Sequence, residues 1–186
     1  MSDEELSRRL TEQAVTEGAD RAEVLPVSGI ELDAGFRSLC ESNACGNYGR
    51  CWMCPPDAGD IEELMEEIRT YRYALVYQTI GLLEDSYDIE GMAAAAEKHN
   101  RLSQRLRSLF EEDGFTRVLH LGAGGCRLCP VCARVDGLPC RHPKEAISSL
   151  ETYGINVSKL AAACGMKYIN GQNTVTYFGA AFYSRG

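Results

Sequence analysis

Eight of the nine cysteines lie in two short stretches, "CESNACGNYGRCWMCPP" at residues 40–56 and "GGCRLCPVCARVDGLPCRHP" at residues 124–143. The first stretch has the spacing C-x4-C-x5-C-x2-C, and its cysteines are Cys40, Cys45, Cys51 and Cys54. The second has the spacing C-x2-C-x2-C-x7-C, and its cysteines are Cys126, Cys129, Cys132 and Cys140. Thiolates are soft ligands, and four of them can hold either a tetrahedral zinc ion or a cubane iron–sulfur cluster. Each stretch is therefore a candidate metal site.

The spacing in the second stretch favours an iron–sulfur cluster. Structural zinc sites usually take two ligands from each of two separated knuckles, whereas successive C-x2-C intervals wrap around a larger object, as in bacterial ferredoxins. Seven residues separate the fourth cysteine, Cys140, from the third. It could complete the local site or ligate a site formed mainly by the first stretch, because the fourth cysteine of two-cluster ferredoxins serves the other cluster.

The first stretch is less specific. Its C-x2-C followed by Pro55 and Pro56 is compatible with half of a zinc knuckle or half of an iron–sulfur loop. We expect [4Fe-4S] clusters in both stretches, two in all, with zinc as the alternative. Tyr48 and Trp52 are expected to pack against the site and shield it from water.

Three segments, "CGNYGRCWMCPP", "GGCRLCPVCARVDGLPCRHP" and "NTVTYFGAAFY", carry a resemblance. From about Ala22 to its end the chain resembles a bacterial and archaeal family of predicted metal-binding proteins, domain of unknown function 2284. The resemblance implies metal binding, with iron–sulfur clusters as the expected form, and no established reaction. The segment departs from the family pattern where Arg50 is followed directly by Cys51, which leaves open which of Cys40, Cys45 and Cys51 are ligands.

The remaining candidate residues have plainer interpretations. Cys164 follows an apolar helical pattern and is expected to be a buried structural thiol. His120 ends a strand and is expected to be hydrogen-bonded near the core, whereas His99 lies among polar residues and is expected to be exposed. Arg141 and His142 follow Cys140 directly and could place positive charge beside a negative cluster.

Composition restricts the partners and the compartment. The net charge of −8 disfavours nucleic acid and anionic membrane surfaces, which are themselves negative. No apolar run approaches membrane-spanning length, and the charged N-terminus "MSDEELSRRL" is unlike a signal peptide. Nine cysteines without secretory signals fit metal or redox chemistry in a reducing compartment, so we expect a cytoplasmic protein.

The elements that would position these stretches alternate between strands and helices. Helical patterns cover residues 4–17, 61–68 and 88–112, with shorter ones in "PKEAISSL" and "VSKLAAAC". Strand patterns cover 22–27, "YALVYQTIGL", 117–121 and "NTVTYFGAAFY". The order predicts one domain over residues 1–186, of the α/β or α+β class, with a small sheet, flanking helices and two cysteine-rich loops.

Three functions remain after these exclusions. The favoured one is an electron-transfer protein whose two loops hold [4Fe-4S] clusters and exchange electrons with a redox partner protein. The second is an iron–sulfur enzyme acting on a small-molecule substrate at an open iron position. The third is a zinc-stabilised binding module. The chain contains no G-x-S-x-G, H-E-x-x-H or P-loop motif, which disfavours hydrolases and transferases that use them.

Overall fold

The computed structural model describes residues 1–184. Its helices and strands are, in chain order, α1 (Asp3–Thr16), β1 (Arg21–Pro26), α2 (Phe36–Glu41), α3 (Ile61–Arg69), β2 (Tyr73–Leu82), α4 (Ile89–Glu112), β3 (Val118–Gly122), β4 (Ser148–Ser149), α5 (Val157–Ala163) and β5 (Thr174–Tyr183). Within these residues, no helix combines the length and the apolar character needed to cross a membrane.

The strands form one mixed sheet in the order β1-β2-β5-β3-β4. Neighbouring strands are antiparallel except β3 and β4, which are parallel. The ten-residue strands β2 and β5 pair along their whole length, from Tyr73 with Tyr183 to Leu82 with Thr174. The predicted small sheet with flanking helices is confirmed, and its mainly antiparallel pairing makes the fold α+β.

Both faces of the sheet are covered by helices. Successive side chains of β2 point to opposite sides of the sheet and therefore enter two different cores. Ala74 and Val76 pack towards α3 and α5, in a core that includes Ile68 and Leu160. Leu75 and Tyr77 pack towards α1 and α4, in a second core. This explains why "YALVYQTIGL" has few polar residues: a strand covered on both faces needs an almost continuous apolar sequence.

Two sequence expectations about helices have opposite outcomes. The predicted start of α3 is confirmed, since the Asp60 carboxylate accepts hydrogen bonds from the amides of Glu62 and Glu63. The helix predicted for "PKEAISSL" is wrong: Ser148 and Ser149 form β4, which pairs with Leu121 and Gly122 of β3. Pairing with an open sheet edge outweighs the helical preference of a short segment.

The expectation that His99 is exposed is also wrong. Its side chain lies between α4 and the sheet and is 3 % exposed. Nδ1 lies 2.8 Å from the Thr79 hydroxyl, and the ring stacks on Tyr77 at 5.5 Å between centroids. The buried face of α4 therefore includes a histidine as well as leucines, and the Nδ1 atom of this histidine finds a partner inside the protein.

His120, by contrast, occupies the hydrogen-bonded position near the core that was predicted for it. The Tyr77 hydroxyl lies 2.7 Å from His120 Nε2 and 2.7 Å from the Ser103 hydroxyl. All three side chains are buried. Burial lowers the pKa of His120 to about 3 and that of His99 to about 4, so both rings are neutral at physiological pH.

Replacing Tyr77 with phenylalanine is expected to lower the free energy of unfolding by about 2 kcal/mol, because it leaves His120 and Ser103 buried without their common partner. Urea unfolding followed by circular dichroism measures this change. Tyr87→Phe is the matched control, since Tyr87 is 86 % exposed. Equal stability of the two variants would contradict a structural role for the buried hydroxyl.

The two buried histidines also predict the direction of a pH effect on stability. Folding lowers the pKa values of both histidines from an ordinary value of 6.5. Below pH 6.5 the histidines are therefore protonated in the unfolded chain but still neutral in the folded chain, which favours unfolding. Stability is expected to fall by about 2 to 3 kcal/mol between pH 7.5 and 5.5. Urea titrations across this range test it. The variant His120→Asn, which cannot titrate there, should lose about half of the slope, and an unchanged slope would contradict the assignment.

Candidate metal centre

The first cysteine stretch begins in α2, which carries Cys40, and continues through a series of tight turns. Asn43 adopts a positive φ of 53°, and its side chain accepts a hydrogen bond from the amide of Tyr48. The amide of Gly49 then bonds to the carbonyl of Pro55, which folds the loop back on itself. Cys51 and Cys54 lie on one turn closed by a 3.0 Å bond between their backbone groups, and both are buried.

The second stretch leaves the sheet at the end of β3 and returns to it at β4. The amide of Leu150 bonds to the carbonyl of Gly122, so both ends of this loop are fixed to the sheet edge. A short 3-10 helix at Ala133–Asp136 separates Cys132 from Cys140, and Gly137 ends it with a positive φ of 67°. The seven residues before the fourth cysteine are thus occupied by a turn of helix and the glycine that reverses the chain.

Side chains join the two stretches to each other. The Trp52 indole nitrogen donates to the carbonyl of Leu138 at 2.9 Å. Arg134 forms an ion pair with Asp57 at 2.7 Å, and its guanidinium lies 5.2 Å from the centre of the Trp52 ring. Both partners of the ion pair are largely shielded from solvent, which strengthens their attraction. The predicted packing role of Trp52 thus takes the form of a bridge between the loops.

The eight cysteines line two pockets, but the pockets do not correspond to the two stretches. We call the first the enclosed pocket; its cavity is about 20 Å³, and its cysteines are Cys51, Cys126, Cys129, Cys132 and Cys140. We call the second the open pocket; its cavity is about 450 Å³, and its cysteines are Cys40, Cys45 and Cys54. Cys51 is therefore part of the first stretch in the sequence, but in the structure it lines the same pocket as the four cysteines of the second stretch.

Sulfur-to-sulfur hydrogen bonds connect the pockets through Cys51. Its thiol is hydrogen-bonded to that of Cys54 and also to that of Cys132. The bond from Cys54 is the main cause that lowers the pKa of Cys51, and the same bond, together with burial, raises the pKa of Cys54. Cys51 is thus the sulfur in this pair that more readily becomes a thiolate, which is the form that binds metal.

Backbone amides also donate to sulfur in the enclosed pocket. Cys51 receives hydrogen bonds from the amides of Met53 and Cys126. Cys126 in turn receives them from the amides of Leu128 and Ile147, although burial is the larger effect and raises its pKa. Amide donors stabilise negative charge on sulfur, and they are a principal means by which proteins adjust sulfur-ligated metal centres.

A positive side chain stands beside this pocket. Arg141 lines it together with His142, and Arg141 donates to the carbonyl of Val131 at 3.0 Å. This hydrogen bond holds the guanidinium near the sulfurs, where its positive charge compensates the negative charge of thiolates.

Cys164 lies at the end of α5 and lines neither pocket, and burial raises its pKa to about 12. Cys164 packs against the core but is only partly buried, whereas a buried thiol was predicted.

The donors are those of a sulfur-ligated metal centre. Within residues 1–184, no group of three or more Cys, His, Asp or Glu side chains converges so as to hold one metal ion. Five thiols are instead distributed around the enclosed pocket, and amides point at two of them. A donor set made almost entirely of thiols selects zinc or iron–sulfur clusters over magnesium or calcium, which prefer oxygen.

Several residues that line the open pocket were not predicted from the sequence. Besides the three cysteines, polar side chains line it, namely Asn47, Arg127, Ser149, Glu151 and Thr152. Ser149 ends β4 and Thr152 lies three residues after it, and a 2.9 Å hydrogen bond joins their hydroxyls. Their residue types are common and their spacing matches no motif, so only the pairing of β4 with β3 reveals that they face the cysteines.

Comparison with known proteins gives one match. No curated protein and no solved structure is significantly similar to this chain. A family model described as "predicted metal-binding protein", domain of unknown function 2284, matches residues 23–183. That range includes both cysteine stretches and all five strands except the first two residues of β1. The chain therefore belongs to this family of predicted metal-binding proteins.

Proposed function

We propose that the protein is an iron–sulfur redox protein, with one [4Fe-4S] cluster at the enclosed pocket and a second at the open pocket. The observation that carries this proposal is the set of five thiols, drawn from both stretches, that line one narrow pocket. Such clusters accept and release single electrons. A centre of this kind shielded by protein is suited to electron transfer, because burial limits attack by water and helps to set the potential.

The chain's own residues adjust the charge at the enclosed pocket. Amides of Met53 and Cys126 donate to one sulfur, and Arg141 and His142 line the same space. Donors and cations both favour the more negative, reduced state of a centre, so they raise its potential. Trp52 and Ala133 cover the pocket with apolar surface, which opposes the accumulation of charge.

The spacing of the second stretch favours an iron–sulfur centre over structural zinc. Four cysteine thiolates can complete either kind of site, so the number of thiols does not distinguish them. The C-x2-C-x2-C run supplies three of the five cysteines of the enclosed pocket, and it is the arrangement that wraps around a polynuclear cluster. All nine cysteines are free thiols, in keeping with a reducing compartment such as the cytoplasm.

Purification without oxygen is expected to give a brown protein with about eight irons and eight acid-labile sulfides per chain. Trp52, the only tryptophan, lines the enclosed pocket, so its fluorescence should be strongly quenched in the loaded protein and recover when the metal is removed. Elemental analysis, sulfide assay and emission spectra measure these properties on one sample. One or two zinc ions without sulfide would overturn the redox proposal in favour of a zinc-stabilised binding module.

Replacing Cys129 with serine is expected to remove or convert one cluster, with a loss of up to about four irons per chain. Cys164→Ser is the matched control and should leave the iron content unchanged, because Cys164 lines neither pocket. Iron and sulfide content and the electron paramagnetic resonance (EPR) spectrum measure the difference. Equal losses in both variants would contradict the assignment of Cys129 as a ligand.

A further inference from the structure

The turn that carries the last three cysteines of the second stretch has an inner and an outer side. Its inner side lines the enclosed pocket with three sulfurs. Three apolar side chains that lie between those cysteines in the sequence are exposed instead: Val131 by 58 %, Val135 by 42 % and Leu138 by 53 %. We call the surface formed by these three residues and the exposed Arg141 the outer face. Only this turn of chain therefore separates the outer face from the sulfurs.

Hydrogen bonds hold the outer face in one conformation. Backbone bonds within the turn fix the amides of Val135 and Leu138. The Trp52 indole donates to the carbonyl of Leu138, and the Arg141 guanidinium donates to the carbonyl of Val131. A surface that is already ordered loses little conformational entropy when a partner binds, so the outer face is suited to docking.

The second stretch is basic although the whole chain is acidic. Residues 124–144 contain three arginines and one lysine against one aspartate, a net charge of +3, whereas the chain carries −8. Within residues 1–184, Arg134 is the only one of these four cations with an ion pair, which it forms with Asp57. The other three are exposed: Arg127, Arg141 and Lys144. This separation of charge orients the molecule, so that a negative partner meets the second stretch first.

A second group of exposed apolar side chains lies in acidic surroundings. Leu82, Tyr87 and Ile89 are strongly exposed between the end of β2 and the start of α4. Four acidic residues lie among them in the sequence: Glu84, Asp85, Asp88 and Glu90. That surface would repel a negative partner, so charge distinguishes the outer face as the place where an acidic protein binds.

The size of the outer face fits a short-lived complex. Stable interfaces usually take about 20 to 30 residues from each side, whereas electron-transfer encounters bury much less surface. An apolar centre with charged residues around it is the usual composition of a docking surface. A partner bound here would lie against the turn that lines the enclosed pocket, which is where an electron carrier must lie if that pocket holds the proposed redox centre.

We propose that the outer face is the docking site of a small acidic electron-carrier protein. Carboxylates of the partner pair with Arg141, and with Arg127 and Lys144, which flank the outer face in the sequence. An apolar patch of the partner covers Val131 and Leu138. The docking depends only on the surface of this chain, whereas the choice of an electron carrier as the partner rests on the proposed redox function.

A plant-type [2Fe-2S] ferredoxin, which is a small acidic electron carrier, is the probe for this surface. Its binding to the full-length protein is measured by isothermal titration calorimetry, with the basic protein cytochrome c as the comparison. A dissociation constant of about 10 to 100 μM is expected at low salt. Binding is expected to weaken about 10-fold at roughly 200 mM salt, because counter-ions screen the charges. Tighter binding of cytochrome c than of ferredoxin would overturn the inference.

Single variants with matched controls locate the binding surface. Arg141→Glu and Lys144→Glu are each expected to weaken ferredoxin binding about 5-fold, and Arg8→Glu, which makes the same charge change in α1, is their control. Leu138→Ser is expected to weaken binding about 3-fold, with Leu82→Ser as its control. Lys144 lines neither cysteine pocket, so its variant tests docking without disturbing the candidate metal centre. Equal losses in the variants and their controls would contradict the assignment of the surface.

Iron and sulfide are determined on every sample used for binding, which separates two kinds of failure. An iron–sulfur protein that does not bind ferredoxin would overturn this inference and leave the proposed redox function standing. A chain without iron and sulfide would overturn the redox function, whatever the binding result. Sedimentation of the chain alone tests one other occupant: self-association that Arg141→Glu abolishes would assign the outer face to a second copy and overturn the inference.

Discussion

The mutual repulsion of closely spaced thiolates is the constraint on which the rest of this structure depends. Eight cysteines line two adjoining pockets in a protein whose net charge is already −8. Uncompensated negative charge of that density is unstable away from water. The loops compensate for this charge with backbone amides directed at Cys51 and Cys126, with Arg141 beside the enclosed pocket, and with a hydrogen bond from the Cys54 thiol to the Cys51 sulfur. A bound cationic metal centre would supply the remaining compensation, which ties ligand binding to the folding of the loops.

The sheet provides the rigid edge to which these loops are attached. The long pair of β2 and β5 has a covered core on each side, and β3 and β4 extend this base towards the cysteines. The second loop begins and ends on neighbouring strands, so its sulfurs are held from both ends. The first loop lacks such anchors and is fastened to the second by Trp52 and by the ion pair of Arg134 with Asp57. The sheet therefore holds the second loop in place, and the second loop in turn holds the first.

Sequence patterns predicted the regular elements well where periodicity was strong. The predicted helices and strands, apart from the helix in "PKEAISSL", occur within one or two residues of the predicted bounds, because amphipathic spacing and buried-strand composition reflect the two covered faces. The short helix α2, the two-residue strand β4 and the burial of His99 were missed, since none of them leaves a local signature in the sequence. The eight cysteines were identifiable from spacing alone, whereas their five-to-three division depends on the fold of both loops together. Glu151 and Arg127 likewise become notable only through the pocket they share.

The contact between Cys51 and Cys54 gives the two pockets a direct connection. The two residues lie on a single turn, yet one sulfur faces the enclosed pocket and the other the open one. Metal centres bound by these neighbouring sulfurs would therefore lie close to each other, so a change of charge at one of them would alter the electrostatic surroundings of the other.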